Sequence, residues 1–298
     1  MKIGCAALYP ITRYGFPYSF DDYLKALADM HSAGFEHCEL EINVDHDLEE
    51  YHRRVDEITG RLQQYRLNIS SIIGVVNGGF STDPAVAERY QAHYRRLAEF
   101  GAAVGCEMMC VCAYMPPEIE GIAGTEPYSG APPMQVRVPK GFDWNRFWDN
   151  AVLRFGQMAR TSAEFGQKLI IENRVGDFVN TSDGVLKLIE DAGEPNAGCL
   201  LDIAHTHATK EHLDLVIPKL KKRLLYVHLA DNDGTQPYHL PAGKGNIDFL
   251  SVFRSLHAIG YDSYANVDYG GVPPDQILAE VSKGRAFFQE CLDTVARE

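Results

Sequence analysis

The sequence predicts an α/β fold, a single (β/α)8 TIM barrel that spans residues 1–298. Short apolar runs alternate with longer amphipathic runs along the whole chain, and several short runs are apolar on both faces. Strands look like this in parallel sheets that are covered on both sides. The length suits eight βα units, since such barrels typically need ~250 residues. A closed barrel is therefore favoured over an open doubly wound sheet, and no domain boundary stands out.

The predicted strands and helices alternate in chain order. The strands are predicted at residues 2–8, 36–43, 68–76, 107–113, 168–173, 198–203, 224–230 and 264–268. The helices are predicted near residues 21–33, 48–65, 84–104, 144–166, 183–192, 211–222, 247–259 and 274–296. Helix starts fit this assignment, because Ser19, Thr181 and the Thr82-Asp-Pro84 segment supply capping oxygens or a proline.

Two connections are much longer than the usual βα loop of ~2–6 residues. One covers residues 115–142 after strand 4 and is rich in proline and glycine, and the other covers residues 232–246 after strand 7. Both follow strands, which would bring them to the catalytic mouth of a barrel. We expect a lid or substrate-contact role, with a tolerated surface insertion or an oligomer contact as the alternative.

Composition narrows the class of protein. The chain has 28 basic and 41 acidic residues, a net charge of −13, which opposes binding to nucleic acid. Its seven cysteines contain no Cys-x-x-Cys pair, which favours reduced buried thiols in a cytoplasmic protein. No apolar run approaches the ~20 residues of a membrane span. The N-terminal residues are better suited to a first strand than to a signal peptide.

Four consecutive predicted strands each end in a potential metal ligand. The four residues are Glu172, Asp202, His228 and Asp268. Such side chains are costly after a buried strand unless something uses them, and a barrel aims its strand ends at one mouth. Three carboxylates and one imidazole favour Mn²⁺, with Mg²⁺, Co²⁺ and Zn²⁺ also compatible. The alternative for each residue is a salt bridge or a capping group just past a strand.

Neighbouring residues suggest supporting roles. His205 follows Asp202 by three positions and could hold a substrate oxygen or assist proton transfer. Arg174 follows Glu172 by two positions, so it could orient a substrate hydroxyl from the same side or pair with a carboxylate. Asp231 is a candidate partner that would hold the imidazole of strand 7 in one tautomer.

Four more residues are predicted to bind substrate. Glu41, near the end of strand 2, is a candidate substrate or supporting carboxylate, with an ion pair in the barrel floor as the alternative. Asn77 precedes two glycines that allow close backbone approach to a ligand. His239 and Lys244 come from the long loop after strand 7.

The chain resembles the xylose-isomerase-like TIM barrels, a superfamily of sugar phosphate isomerases and epimerases that includes the ketose 3-epimerases. The resemblance spans nearly the whole chain and is densest in four segments: Ile171-Glu-Asn173, Leu201-Asp-Ile-Ala-His205, Val227-His-Leu-Ala-Asp231 and Gly243-Lys-Gly-Asn-Ile-Asp-Phe249. It implies that the four strand-end residues bind one divalent ion and that His205 binds substrate. It also implies a homo-oligomer, a dimer or a tetramer.

One departure from the family pattern concerns the eighth strand. Ketose 3-epimerases usually carry a glutamate there that serves as ligand and second acid/base, whereas this chain has Asp268. The shorter carboxylate can bind a metal, but its reach changes by more than ~1 Å, a misplacement that can cost ~10²-fold in rate. Endonuclease-IV-like repair is disfavoured, because Asn77 and Tyr114 stand where that group has zinc-binding histidines.

These patterns predict a divalent-metal-dependent isomerase or epimerase that acts on a keto-sugar or related polyol through an enediolate. Glu172, Asp268 and His205 are the predicted catalytic residues, with Glu172 removing the proton. The first alternative is a metal-dependent lyase or dehydratase acting on a 3-keto-glycoside or an inosose, since it shares the enediolate. The second is a sugar-binding barrel without turnover, which four retained ligand positions disfavour.

Overall fold

Eight parallel strands close into a barrel in the computed structural model, which describes residues 1–126 and 131–298. The strands are β1 (Lys2–Cys5), β2 (His37–Asn43), β3 (Asn68–Val75), β4 (Met108–Cys112), β5 (Lys168–Glu172), β6 (Ala197–Asp202), β7 (Leu224–Leu229) and β8 (Tyr264–Val267). Each strand pairs in parallel with its neighbours in chain order, and β8 closes the circle against β1. The predicted TIM barrel is confirmed.

Helices follow the strands on the outside of the barrel. They are α1 (Leu8–Tyr14), α2 (Phe20–Ser32), α3 (Leu48–Arg53), α4 (Val55–Tyr65), α5 (Pro84–Ala103), α6 (Trp144–Glu164), α7 (Ser182–Ala192), α8 (Ile203–Ala208), α9 (Leu213–Leu220), α10 (Phe249–Ala258) and α11 (Ile277–Val295). A 3₁₀ turn covers Lys221–Arg223. No helix within the described ranges is long and apolar enough to cross a membrane.

Local sequence explains several helix starts. Ser19 caps α2 through a reciprocal capping box with Asp22, and Thr181 caps α7. Asp83 accepts hydrogen bonds from two amides of α5, with Pro84 in the first turn. These capping signals therefore predicted helix starts at or within a residue or two of their observed positions.

Several predicted boundaries differ from the observed ones, and three of these differences have a clear local cause. The first strand ends at Cys5 instead of residue 8, because Leu8 begins a short helix. The predicted helix at 48–65 is two helices that break at Arg54, whose backbone is not helical. The sixth strand ends at Asp202, since its carboxylate accepts the amide of His205 at 2.6 Å and starts α8.

The barrel interior is closed below the mouth by two layers of side chains. An apolar layer packs inside the strands and comprises Ala7, Ile73, Met108, Cys110, Ile170, Leu200 and Tyr226. A polar network links Tyr226 to Ser70 at 2.6 Å and to the amide of Asn266 at 2.7 Å. Because this layer closes the floor, the open space of the barrel lies at the carboxyl ends of the strands.

Both long loops follow strands as predicted. The loop after β4 contains a two-stranded antiparallel hairpin, Glu120–Gly121 with Val136–Arg137. Residues 127–130 of that loop, which include Gly130, lie outside the described residues. The loop after β7 folds over the barrel mouth through an isolated bridge between Asp231 and Leu240.

Candidate active site

The four predicted ligands converge at the carboxyl ends of β5 to β8. Their side chains are all at least nine-tenths buried. Nδ1 of His228 lies 3.4 Å from Oε1 of Glu172, 3.7 Å from Oδ2 of Asp202 and 3.5 Å from Oδ2 of Asp268. The barrel therefore brings one imidazole nitrogen and three carboxylates to one point, as their order along the chain predicted.

This nitrogen is the observation that tests whether a metal ion fits. Nδ1 of His228 is buried and makes no well-formed hydrogen bond to any residue that the structure describes. A buried polar atom left in this state is costly, and a cation would satisfy it together with the three surrounding carboxylates. Glu172, Asp202 and His228 also offer ligand atoms that all lie within 4.8 Å of one another. The donor set fits a divalent ion.

Glu39 on β2 orients the imidazole from below. Nε2 of His228 lies 3.0 Å from both carboxylate oxygens of Glu39, which is fully buried and also accepts the amide of Ala7 at 3.1 Å. An Nε2–H that donates to a carboxylate makes Nδ1 the nitrogen that would ligate a cation, in exchange for any proton that it carries. The prediction that Asp231 holds His228 was wrong, because the Asp231 carboxylate is occupied by backbone amides of its own loop.

His239 reaches the same cluster from the loop after β7. Its Nε2 lies 3.2 Å from Oδ2 of Asp202 and 3.3 Å from Oδ2 of Asp268. Together with Asp202 and His205 it forms a second group of closely spaced ligand atoms. The structure thus places His239, which was predicted to bind substrate, in direct contact with two of the predicted metal ligands.

Burial and charge act in opposite directions on these groups. Burial alone would raise the pKa of Glu172, but the close approach and charge of His228 lower it to about 2. Burial raises the pKa of Asp268 to about 6, against the attraction of His228 and His239. Burial alone would lower the pKa of His228, yet Glu39 and Asp268 raise it well above its ordinary value. The cluster carries excess negative charge, as a cation site requires.

His205 is held as a neutral donor. Its Nδ1 accepts the backbone amide of Val175 at 3.2 Å, so a neutral ring carries its proton on Nε2. Burial lowers the pKa of His205 to about 4, which keeps the ring neutral near pH 7. Asn173 fixes the segment, since its side chain accepts the amide of Asp202 and donates to Thr206.

A cavity of about 580 Å³ opens above the cluster. Glu172, His205, His228, His239 and Asp268 line it, and so do Glu41 and Arg174. Arg174 donates to Asp177 at 2.7 Å and stacks over the ring of Tyr114 at 4.5 Å, which fixes its guanidinium at the wall. Burial raises the pKa of Glu41 to about 7. Both predicted substrate contacts therefore face the site.

Two predicted substrate-binding residues lie elsewhere. Asn77 and Lys244 are exposed, and neither belongs to the cavity wall formed by the described residues. Their roles stay predictions, with no contact to the site to support them.

Comparison with known proteins decides the family. The family model for xylose isomerase-like TIM barrels matches residues 27–291. The chain belongs to this family. Among curated proteins, an L-ribulose 3-epimerase of Mesorhizobium japonicum is 25% identical over 242 residues, which cover 80% of this chain and 72% of that protein. A ketose 3-epimerase of Arthrobacter globiformis is 23% identical over 270 residues, covering 88% and 81%.

Two further comparisons concern an uncharacterized relative and a solved structure. The chain spans about half the length of an uncharacterized protein of Methanocaldococcus jannaschii, with 25% identity over 152 residues and 49% of this chain covered. The solved structure of a D-tagatose 3-epimerase-like protein matches with a TM-score of 0.76 at 19% identity, covering 100% of this chain and 99% of that one. This likeness shows the fold.

Two contacts of the site were missed from the sequence. The period of a strand predicts that Glu39 shares one face of β2 with Glu41, but it does not predict the contact between Glu39 and His228. Cys112 at the end of β4 donates its thiol to Oε2 of Glu172 at 3.1 Å. Nothing in the sequence distinguishes Cys112 from the other buried thiols.

Proposed function

We propose that this protein is a divalent-metal-dependent epimerase or isomerase that acts on a keto-sugar through an enediolate. The observation that carries the proposal is the buried Nδ1 of His228, which faces three carboxylates at the inner end of a cavity. The curated relatives that are ketose and L-ribulose 3-epimerases support a sugar as substrate and support an enzyme.

Glu172, Asp202, His228 and Asp268 would hold the ion, for which Mn²⁺ is favoured by the donor set. When bound, such an ion polarises a substrate carbonyl and stabilises negative charge that develops on its oxygen. His239 lies against two of these carboxylates and would secure them from the loop side.

The proton transfers are assigned to the side chains of this chain. Glu172 would remove the proton beside the carbonyl, and Asp268 would return one from β8, which lies two strands around the barrel from β6 and three from β5. His205 would donate its Nε2 proton in a hydrogen bond to a substrate oxygen, because its ring is neutral. Arg174 and Glu41 would orient hydroxyl groups from the cavity wall.

A lyase or dehydratase remains the second candidate, and Asp268 is the observation that favours it. Its side chain is one methylene shorter than the glutamate implied by the family pattern. It therefore reaches less far towards the substrate carbon, to whose opposite face an epimerase returns the proton. The same enediolate would then lose a neighbouring hydroxyl or glycosyl group. Keto-sugars and 3-keto-glycosides incubated in D₂O with Mn²⁺ distinguish the two, since an epimerase yields deuterated epimers and a lyase yields elimination products.

The Glu172→Gln variant tests the proposal directly. We expect it to abolish solvent deuterium exchange into a keto-sugar that the wild type exchanges, because the amide cannot accept the proton. Glu36→Gln, an exposed glutamate ahead of β2, is the matched control and should exchange at the wild-type rate. Unchanged exchange in Glu172→Gln would exclude it as the base. A purified protein with no bound divalent ion and no response to Mn²⁺ would overturn the metal-dependent function.

A further inference from the structure

His239 approaches two of the predicted metal ligands as closely as His228 does. Its Nε2 lies 3.2 Å from Oδ2 of Asp202 and 3.3 Å from Oδ2 of Asp268. Nδ1 of His228 lies 3.7 Å and 3.5 Å from the same two oxygens. Two imidazole nitrogens, one from β7 and one from the loop after it, therefore face the same pair of carboxylate oxygens.

These separations suit atoms that share one ion. Metal–ligand bonds of ~2.1 Å that meet at right angles put neighbouring ligand atoms ~3 Å apart. The four nitrogen-to-oxygen distances exceed this spacing by only ~0.2–0.7 Å. The side chain of His239 is also 9% exposed, so little water reaches it to compete for the ion. Its nitrogen therefore lies at the spacing expected of a further ligand.

The fold fixes the position from which His239 reaches the cluster. Leu240 and Asp231 exchange two backbone hydrogen bonds of 2.9 Å, which join the loop to the segment that follows β7. The carbonyl of His239 accepts the amide of Gly270 at 2.7 Å, two residues after Asp268. The backbone of His239 is thus held between the segments that follow β7 and β8, and a ligand held in this way is preorganised for the ion.

His205 is the other imidazole near this position, and its ring centroid lies 5.0 Å from that of His239. It is unsuited to bind the ion, because its Nδ1 accepts the amide of Val175 and a neutral ring then carries its proton on Nε2. Among the described residues, the contacts of Nε2 of His239 are the two carboxylates. His239 is therefore the better candidate for a second imidazole ligand.

We propose that His239 is a fifth metal ligand, so that three carboxylates and two imidazoles hold one ion. The inference rests on the proposed function, which assigns the other four residues to that ion. A second nitrogen donor shifts the preference of the site towards Co²⁺ and Zn²⁺ relative to Mg²⁺. The ion would also fasten the loop after β7 to the barrel, because the other four ligands come from strand ends.

Counting the imidazole nitrogens on the ion tests the inference. The protein is labelled with ¹⁵N-histidine, loaded with Mn²⁺ in a buffer free of imidazole, and measured by pulsed EPR. We expect two coupled imidazole nitrogens in the wild type and one in His239→Gln. His257→Gln, which replaces an exposed histidine of α10, is the matched control and should keep two. His205→Gln should also keep two.

Metal affinity and loop exchange give two further readouts. We expect His239→Gln to weaken Co²⁺ binding by at least ~10-fold and Mg²⁺ binding by less than ~3-fold, because Co²⁺ gains more from an imidazole donor. Calorimetric titration of the metal-free proteins measures both affinities. Binding of Mn²⁺ should slow hydrogen exchange of the Leu240 amide at least ~10-fold in the wild type and leave it nearly unchanged in His239→Gln.

Two results would overturn the inference. One is a single coupled imidazole nitrogen in the wild type, and the other is two nitrogens that persist in His239→Gln. The proposed function would stand in either case if the Mn²⁺-loaded wild type epimerises a keto-sugar. A wild type that binds no divalent ion would instead reject the proposed function and the inference together.

Discussion

At the scale of single residues, the site depends on one imidazole whose two nitrogens have different partners. Nε2 of His228 faces the carboxylate of Glu39, and Nδ1 faces the three carboxylates of β5, β6 and β8. Since a carboxylate below the ring holds a proton on Nε2, Nδ1 is the nitrogen that a cation would bind, in exchange for any proton there. Glu39 is therefore a positioning residue that need not touch substrate.

Replacing Glu39 tests this role. We expect Glu39→Gln to weaken Mn²⁺ binding by ~10–100-fold, because a neutral amide is a weaker acceptor for the Nε2–H of His228 than a carboxylate. Calorimetric titration of the metal-free protein with Mn²⁺ measures the change, and Glu36→Gln on the exposed surface is the control. Equal affinities in the two variants would contradict the role assigned to Glu39.

The carboxyl of Glu41 makes folding sensitive to pH. Burial raises its pKa from 4.5 to about 7, so the folded state keeps a proton that the unfolded state releases. Glu41 therefore costs no stability below the unfolded pKa, and its cost grows as the pH rises from 4.5 to about 7 and then stays constant. We expect Glu41→Gln to gain about 1–3 kcal/mol relative to wild type between pH 5 and pH 8, a range reduced for partial solvent screening.

Urea unfolding in the presence of a chelator at the two pH values measures this difference. The chelator matters because a bound cation would favour the ionised carboxyl and mask the effect. A constant difference between the variant and the wild type would show that the Glu41 carboxyl is not perturbed by folding.

At the scale of elements, the loop after β7 is fixed by one carboxylate. Asp231 accepts the amides of Gly243 at 2.8 Å, Gly245 at 2.9 Å and Ile247 at 3.1 Å. The same loop carries His239 to the ligand cluster. The fixed conformation of this loop therefore helps to position the site, although Asp231 makes no hydrogen bond to the imidazole of His228.

Removing that carboxylate should loosen the loop. We expect Asp231→Ala to lower the free energy of unfolding by about 2–3 kcal/mol, since three amides lose a charged acceptor. Hydrogen exchange should accelerate most at Gly243, Gly245 and Ile247. Asp275→Ala, an exposed aspartate before α11, should stay within ~0.5 kcal/mol of wild type. Wild-type exchange rates at the three amides would show that other contacts hold the loop.

At the scale of the whole molecule, the fold buries every cysteine. All seven thiols are free and buried, as predicted, and all lie within the described residues. Burial raises the pKa of Cys38 and Cys106 to about 12, and it raises the pKa of the other five thiols as well. Native thiols should therefore be poor nucleophiles.

A thiol reagent measures this protection. We expect labelling of the native protein near neutral pH to be limited by opening of the barrel, and we expect seven thiols to react at once in denaturant. Rapid labelling of one cysteine in the native protein would locate a segment that opens without global unfolding. The cytoplasmic location, the homo-oligomer and the lack of a nucleic-acid partner stay predictions, the second to be measured by light scattering.

The sequence by itself determined the barrel and the identity of the four strand-end residues. Alternating apolar runs are a local property of the sequence. Because the carboxyl ends of barrel strands converge on one mouth, a ligand at the end of each of four successive strands is expected to lie near the others. Capping residues such as Ser19 and Thr181 likewise act within a few positions, so they marked helix starts correctly.

Only the tertiary structure decided which side chains touch. Glu39 and His228 are 189 positions apart and meet because β2 and β7 face each other across the barrel. His239 reaches the cluster through the path of a long loop, and Asp231 turns to that loop instead of the neighbouring imidazole. Spacing along one strand or helix fixes the direction in which its side chains point. Contact across a barrel depends instead on the path of the loops and the length of the side chains, which no local sequence pattern shows.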